Sequence, residues 1–172
     1  RIGLVIFSGE SFTQSPLTSD HSMIMNLFKD IQSGMIEDGT AIGDGMATSI
    51  NRLKESDAIS KVIILITDGV NNSGSIDPLS AAEIAKIYGI RIYTVGVGTM
   101  GMAPYPVQTP FGIQYQNMEV KIDEEILKQV AEATGGKYFR ATSNRKLKEI
   151  YGEIDQLEKS KIDVTEFSRR HE

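Results

Sequence analysis

Two oxygen-bearing side chains stand where this chain could do chemistry. Thr40 lies in Asp38-Gly39-Thr40-Ala41-Ile42-Gly43-Asp44-Gly45-Met46, and Asp68 closes the stretch KVIILITDG, Lys61 to Gly69. Each precedes a glycine-containing turn, one where a helix begins and one where a strand ends. A hydroxyl and a carboxylate with neither cysteine nor histidine beside them form a hard-oxygen pair. That pair suits Mg²⁺, which keeps several waters and takes few protein ligands. The same residues also serve as two ordinary caps, a threonine at a helix start and an aspartate opening a turn.

Other chemistries find less support. The 172 residues include no cysteine and two histidines, His21 and His171. Disulfides, thiolate zinc sites and thiol nucleophiles are therefore excluded, and a Ser-His-Asp triad or histidine metal centre has little to draw on. Gly96-Val97-Gly98-Thr99-Met100-Gly101 spells GxGxxG after a strand, but Pro104 and Pro106 follow where a dinucleotide site needs a helix N-terminus. Gly39 to Gly45 lacks the Lys-Ser/Thr ending of a phosphate loop. With no general base evident, the sequence does not read as an enzyme or a nucleotide binder. A net charge of −5 argues against nucleic acid. No apolar run reaches the roughly 18 residues of a membrane span.

The elements that must position Thr40 and Asp68 follow from the apolar pattern. Val62 to Ile66 is an unbroken aliphatic run, which predicts a central parallel strand buried on both faces with Asp68 at its carboxyl end, where open α/β sheets bind ligands. Ile2–Phe7 predicts a second buried strand, and Ser11 to Gln14 a short antiparallel edge strand stopped by Pro16. Helices are predicted from Asp20 to Ser33, with Met23, Ile24, Leu27, Phe28 and Ile31 inward, and from Ala41 to Glu55, with Ile42, Met46, Ile50 and Leu53 inward. Gly43 and Gly45 in the first turns of the second helix imply close packing or close approach to a ligand.

Further on, Pro78 to Tyr88 predicts a helix with Ala82, Ile84, Ala85 and Ile87 inward, and Arg91 to Gly98 the next strand. Met100 to Gln116 reads as an inserted loop or splayed hairpin. A helix from Asp123 to about Thr134, a strand over Lys137 to Ala141 and a last helix from Ser143 complete the pattern, with an edge strand allowed at Ile162-Asp163-Val164. Strands alternating with helices give a doubly wound, Rossmann-like, mostly parallel sheet with helices on both faces. The chain reads as one domain over 1–160, with an insert at about 99–118, followed by a charged tail over 161–172. Because it opens on Arg1 and is strand-like from Ile2, it also reads as an excised fragment.

The motifs around the two oxygen side chains carry a resemblance. DGTAIGDGM and VIILITDGVNNSG resemble the second and third elements of the metal-ion-dependent adhesion site of von Willebrand factor A domains. IGLVIFSGESFTQSPLTSD, TVGVGTMGMAPYPVQTPFG and TGGKYFRATSNRKLKEIYGEIDQLEKSKI are similar to the Bat (aerotolerance-operon) membrane proteins of bacteria, the BatA branch most. The resemblance covers essentially the whole chain. It implies a non-enzymatic module that grips a carboxylate of another protein through Mg²⁺ or Mn²⁺.

In that family an Asp-x-Ser-x-Ser element ends the first central strand, and its serines bind the ion directly. The threonine adds a hydroxyl, the aspartate acts largely through water, and a carboxylate of the bound protein completes the shell. Here nothing before Ile2 supplies the first element. The resemblance therefore implies that Thr40 and Asp68 are metal positions of a longer parent. In this chain the ion binds weakly or not at all, and the two residues default to hydrogen-bonded caps.

A missing first strand and helix would also leave an unpaired hydrophobic edge, inviting dimerisation or domain swapping. As implied partners stand other Bat proteins and a MoxR-type AAA ATPase, with the parent anchored in a bacterial inner membrane and this domain a soluble part of it. Glu10, Asn71 and Asn72 are candidates for the contact rim. Tyr105, Phe111 and Tyr115 of the insert either join that rim or pack down on the domain. Two rival functions are a metal-free scaffold that assembles a membrane complex and a Rossmann-type small-molecule enzyme.

Overall fold

The computed structural model describes residues 1–32, 34–98, 101–110, 112–120 and 122–170. In chain order the elements are β1 (Ile2–Phe7), β2 (Ser11–Thr18), α1 (His21–Lys29), α2 (Ile42–Leu53), β3 (Lys61–Thr67) and α3 (Pro78–Ile87). Then come β4 (Ile90–Val97), β5 (Gly101–Thr109), β6 (Gly112–Val120), α4 (Glu124–Ala133), β7 (Tyr138–Ala141) and α5 (Asn144–Arg170). The parallel body has the strand order β3-β4-β7, in register from Lys61↔Ile90 to Thr67↔Gly96 and from Thr94↔Tyr138 to Val97↔Ala141.

Helices cover both faces of this body, as the alternation of elements predicts. On one face Ile42, Met46 and Ile50 of α2, the alanines 81, 82 and 85 of α3, and Leu127 and Val130 of α4 pack on Ile63, Leu65, Ile90 and Ile92. Alanine lets α3 lie close to the sheet. On the other face Ile150 and Ile154 of α5, flanked by Leu147 and Leu157, cover Tyr93, Val95, Phe139 and Ala141. Each fully buried aliphatic side chain contributes about 1.5–3 kcal/mol.

Several local expectations are corrected. The aliphatic run of β3 is buried on one face only, with Ile64 and Ile66 still 38% and 37% exposed. The reason is position: β3 is the edge of the three-stranded sheet, and α5 packs on β4 and β7. In α1 only Ile24 is buried, while Met23 and Phe28 face outward, because the helix meets only the small β1–β2 sheet. Ile84 and Ile87 of α3 are likewise exposed, since the alanines take the inner face. β2 does not stop at Pro16 but runs through it to Thr18. Proline is tolerated on that edge strand where the β1–β2 register shifts. Ile162-Asp163-Val164 lies in α5 rather than in an edge strand.

β1 and β2 form a separate antiparallel sheet. The end of β1 and the end of β3 both meet the start of α2: Ala41 N–H donates to the Ser8 carbonyl at 2.6 Å, and Thr40 lies against Gly69. The two strands therefore bring their carboxyl ends to one helix, yet neither pairs with the other. Each leaves one edge without a strand partner among the described residues.

The glycines of α2 explain how closely it is held. A Cβ on Gly43 would overlap the Ile76 carbonyl oxygen, and one on Gly45 would lie 2.8 Å from the Phe7 ring. GxGxxG also finds its explanation here: Gly101 opens β5 rather than a helix, and a Cβ on Gly96 would crowd the Tyr138 hydroxyl at 3.0 Å.

One polar cluster fastens α5. The Glu158 carboxylate accepts from Arg91 Nε at 2.8 Å, from Arg91 Nη2, from the Tyr93 hydroxyl at 2.6 Å and from Ser60 Oγ at 2.7 Å. Burial pushes this carboxyl up, but the hydrogen bonds from Arg91, Tyr93 and Ser60 outweigh it and bring it down to about 2.

Candidate functional site

The site is assembled at the start of α2, where three loops meet. From β1 comes the turn Ser8-Gly9-Glu10: Ser8 Oγ donates to the Gly39 carbonyl at 3.1 Å, and Gly9 N–H to the Glu37 carbonyl at 2.7 Å. From β3 comes Thr67-Asp68-Gly69. Thr67 is buried and its hydroxyl accepts the Gly69 N–H at 3.2 Å, so threonine makes the turn and Asp68 is left exposed. A Cβ on Gly69 would sit 2.7 Å from Thr40 Oγ1, which shows how closely the threonine hydroxyl approaches the residue after Asp68.

The expectation that Thr40 and Asp68 act as hydrogen-bonded caps is corrected. Ala41 is the N-cap of α2, and it makes no side-chain capping bond. The capping comes instead from the loop after β3. Asn71 Oδ1 accepts from Ile42 N–H at 2.9 Å, and Asn72 Oδ1 accepts from Thr40 N–H at 2.8 Å. Among the described residues, neither the Thr40 hydroxyl nor the Asp68 carboxylate has a hydrogen-bond or ion-pair partner.

Asp44 was not singled out in the sequence, yet it fixes the same loop. Its Oδ1 accepts from Ser75 N–H at 3.1 Å and from Ile76 N–H at 2.9 Å. Asn71, Asn72 and Asp44 thus work as a frame that holds the β3 loop on α2. Their residue types signal capping, but the sequence separation hides which helix each one caps.

The remaining rim candidates are more dispersed. Glu10 is exposed in the β1 turn, with its carbonyl accepting from Ser8 N–H at 2.8 Å. Asn71 and Asn72 are at the site, with their carbonyl oxygens committed to the backbone of 40–42. Tyr115 lies on β6 and is 72% exposed, so it does not pack down on the domain. The side chain of Tyr105 and the whole of Phe111 lie outside the described residues.

Chemically, the site presents one carboxylate and one hydroxyl, both uncommitted, beside a rigid backbone frame. No group of three or more His, Cys, Asp or Glu that could hold a metal occurs among the described residues. Thr40 and Asp68 are both hard-oxygen donors, and two such donors are few for any ion.

Known proteins share this fold. The model of the von Willebrand factor type A domain matches residues 1–153. The chain is similar to the crystal structure of the conserved hypothetical protein BatB from Bacteroides thetaiotaomicron, with 30% identity and a TM-score of 0.75 over 91% of this chain and 78% of that one. It is also similar to an aerotolerance-related membrane protein from Bacteroides fragilis, with 25% identity and a TM-score of 0.74 over 90% of this chain and 76% of that one. A UPF0353 protein from Mycolicibacterium paratuberculosis is 27% identical over 91% of this chain and 48% of its own length.

The chain spans about half the length of the curated relatives it matches. No helix among the described residues is long and apolar enough to cross a membrane. The resemblance to Bat proteins read from the sequence stands. The chain belongs to the von Willebrand factor type A domain family.

Proposed function

We propose that this domain is a protein–protein interaction module that grips a carboxylate of its partner through a divalent cation, Mg²⁺ or Mn²⁺, at Thr40 and Asp68. The observation that carries the reading is that both side chains are left uncommitted while Asn71, Asn72 and Thr67 supply the local hydrogen bonds. When bound, the cation supplies a positive charge that attracts a carboxylate. The chain's own residues do the positioning: the asparagine frame fixes the loop, Asp68 supplies the negative charge, and Thr40 supplies a neutral oxygen donor.

Two donors are few for a tight site, so the parent supplies further ligands and this chain alone binds weakly. The similarity to Bat and aerotolerance-related proteins supports a place in a membrane-anchored bacterial complex, with this domain as its soluble part. Other Bat proteins and a MoxR-type AAA ATPase are the proposed partners.

Calorimetric titration of Mn²⁺ and Mg²⁺ into the 172-residue chain and into an N-terminally extended form tests this. The extended form binds, the shorter chain binds more weakly, and Asp68→Ala weakens the extended form by at least about tenfold. Absence of binding to both forms, or an Asp68→Ala change without effect, would leave the metal-free scaffold.

A further inference from the structure

We propose that the outer edge of β6 pairs antiparallel with the same edge of a second copy of this chain, joining two hairpins into one four-stranded sheet. This does not depend on the metal reading. The β5–β6 hairpin makes no extended contact with any other strand or helix of the described chain. An isolated two-stranded hairpin is marginally stable in water and gains from further strands.

The two edges of this hairpin differ in chemistry. Thr109 and Gly112 are paired although only three apart in sequence, so they must be a hydrogen-bonded pair, and hydrogen-bonded and open pairs alternate from there. The pairs Gln108↔Ile113, Pro106↔Tyr115, Pro104↔Asn117 and Met102↔Glu119 are therefore the open ones, with backbone groups turned outward. On β5 two of those four outward positions are proline and have no N–H to give. On β6 the outward residues Ile113, Tyr115, Asn117 and Glu119 offer four N–H donors and four carbonyl acceptors.

Glu119 is the only charged residue of the two strands, and Ile113 and Tyr115 are 66% and 72% exposed. Apart from Glu119 at its far end, such an edge lacks the charges and prolines that block strand addition. The β5 edge is blunted, while the β6 edge is open.

A second copy is the occupant that fits. Donors and acceptors at alternate residues are complementary to themselves under a two-fold axis. All four outward residues are used when Ile113 faces Glu119 of the second copy and Tyr115 faces its Asn117. The two Glu119 residues then lie at opposite ends of the interface. The resulting sheet has a proline-bearing β5 on each outer edge, so growth stops at two copies.

The chain contains no cysteine, which makes a thiol test clean. In this register Gln116 meets its own copy on the two-fold axis. We expect Gln116→Cys to form a disulfide-linked dimer under mild oxidation at least about tenfold faster than Met102→Cys on the blunted edge. In sedimentation analysis, Tyr115→Pro removes one outward donor without touching the β5–β6 ladder and weakens the dimer at least about tenfold. Should that variant fold poorly, Tyr115→Lys with Asn117→Lys sets like charges opposite each other and gives the same loss. A wild-type chain that stays monomeric, equal crosslinking at both edges, or a dimer indifferent to these substitutions overturns the proposal. The last of these would locate the contact on another surface, such as the unpaired edges of β1 and β3.

Discussion

Replacing Glu158 by alanine lowers the unfolding free energy by about 2–3 kcal/mol at pH 7. The substitution removes one carboxylate that accepts from three side chains: Arg91, the fully buried Tyr93 and Ser60. Tyr93 then keeps a hydroxyl without its acceptor, and Arg91 keeps a partly buried charge without its counterion. Since Arg91 and Tyr93 sit on β4 and Glu158 on α5, the loss falls on the docking of α5 over the second core. The pH dependence provides an independent check. The folded-state value of Glu158, about 2, lies below the ordinary 4.5. Its contribution is therefore fully present above pH 5 and fades as pH falls from 4.5 towards 2, a loss of about 2 kcal/mol. Urea unfolding of wild type and Glu158→Gln at pH 7 and pH 3 reads both effects. A difference between them that is as large at pH 3 as at pH 7 contradicts the account.

Gly43→Ala destabilises the fold by about 3 kcal/mol, although alanine is the better helix former by about 1 kcal/mol. The added methyl would overlap the Ile76 carbonyl. Backbone stands on both sides of the collision, and neither side can yield cheaply. The loop is tied by Asp44 to the N–H groups of Ser75 and Ile76, and α2 is wedged against Ile63 and Leu65. Gly45→Ala meets only the Phe7 ring, which can turn aside, so it costs about 1 kcal/mol. For a domain of ordinary stability, the first change is a large share of the total and the second is not. Thermal unfolding of the two variants separates them, and equal melting temperatures would contradict the argument. Because the loop carrying Asn71 and Asn72 is displaced with Ile76, Gly43→Ala also loosens the site.

Much of this was legible in the residues. The aliphatic run ending in Asp68, the helix opening after Thr40, and the pair of glycines in that helix located the site and its supporting elements. What could not be read was which side chain would make which local bond. Thr67, Asn71, Asn72 and Asp44 are all competent cappers, and the assignment among them depends on contacts some thirty residues apart. Burial was misjudged where periodicity and tertiary neighbours disagree. β3 has the composition of a strand covered on both faces, yet it lies at an edge. Ile84 and Ile87 look like core residues, yet three alanines took the inner side of α3. Hydrophobicity marks what a segment can bury, whereas topology decides what is there to cover it.

The unpaired edges of β1 and β3 have a mechanical meaning. Among the described residues, apart from the Asp20 N–H that Thr18 Oγ1 accepts at the start of α1, every hydrogen bond that leaves the β1–β2 sheet ends between Glu37 and Arg52, and none crosses directly to β3 or β4. The two sheets are leaves bound along one spine, α2. Side-chain packing is non-directional, so the leaves can change their opening angle about that spine without breaking a backbone ladder. The ties of Ser8, Gly9 and Ala41 gather at the Thr40–Asp68 end. Ser11 and Thr13 add ties to Asp44, Thr48 and Arg52 farther along, so the β1–β2 sheet is fastened down the length of α2 and the site shares that one support.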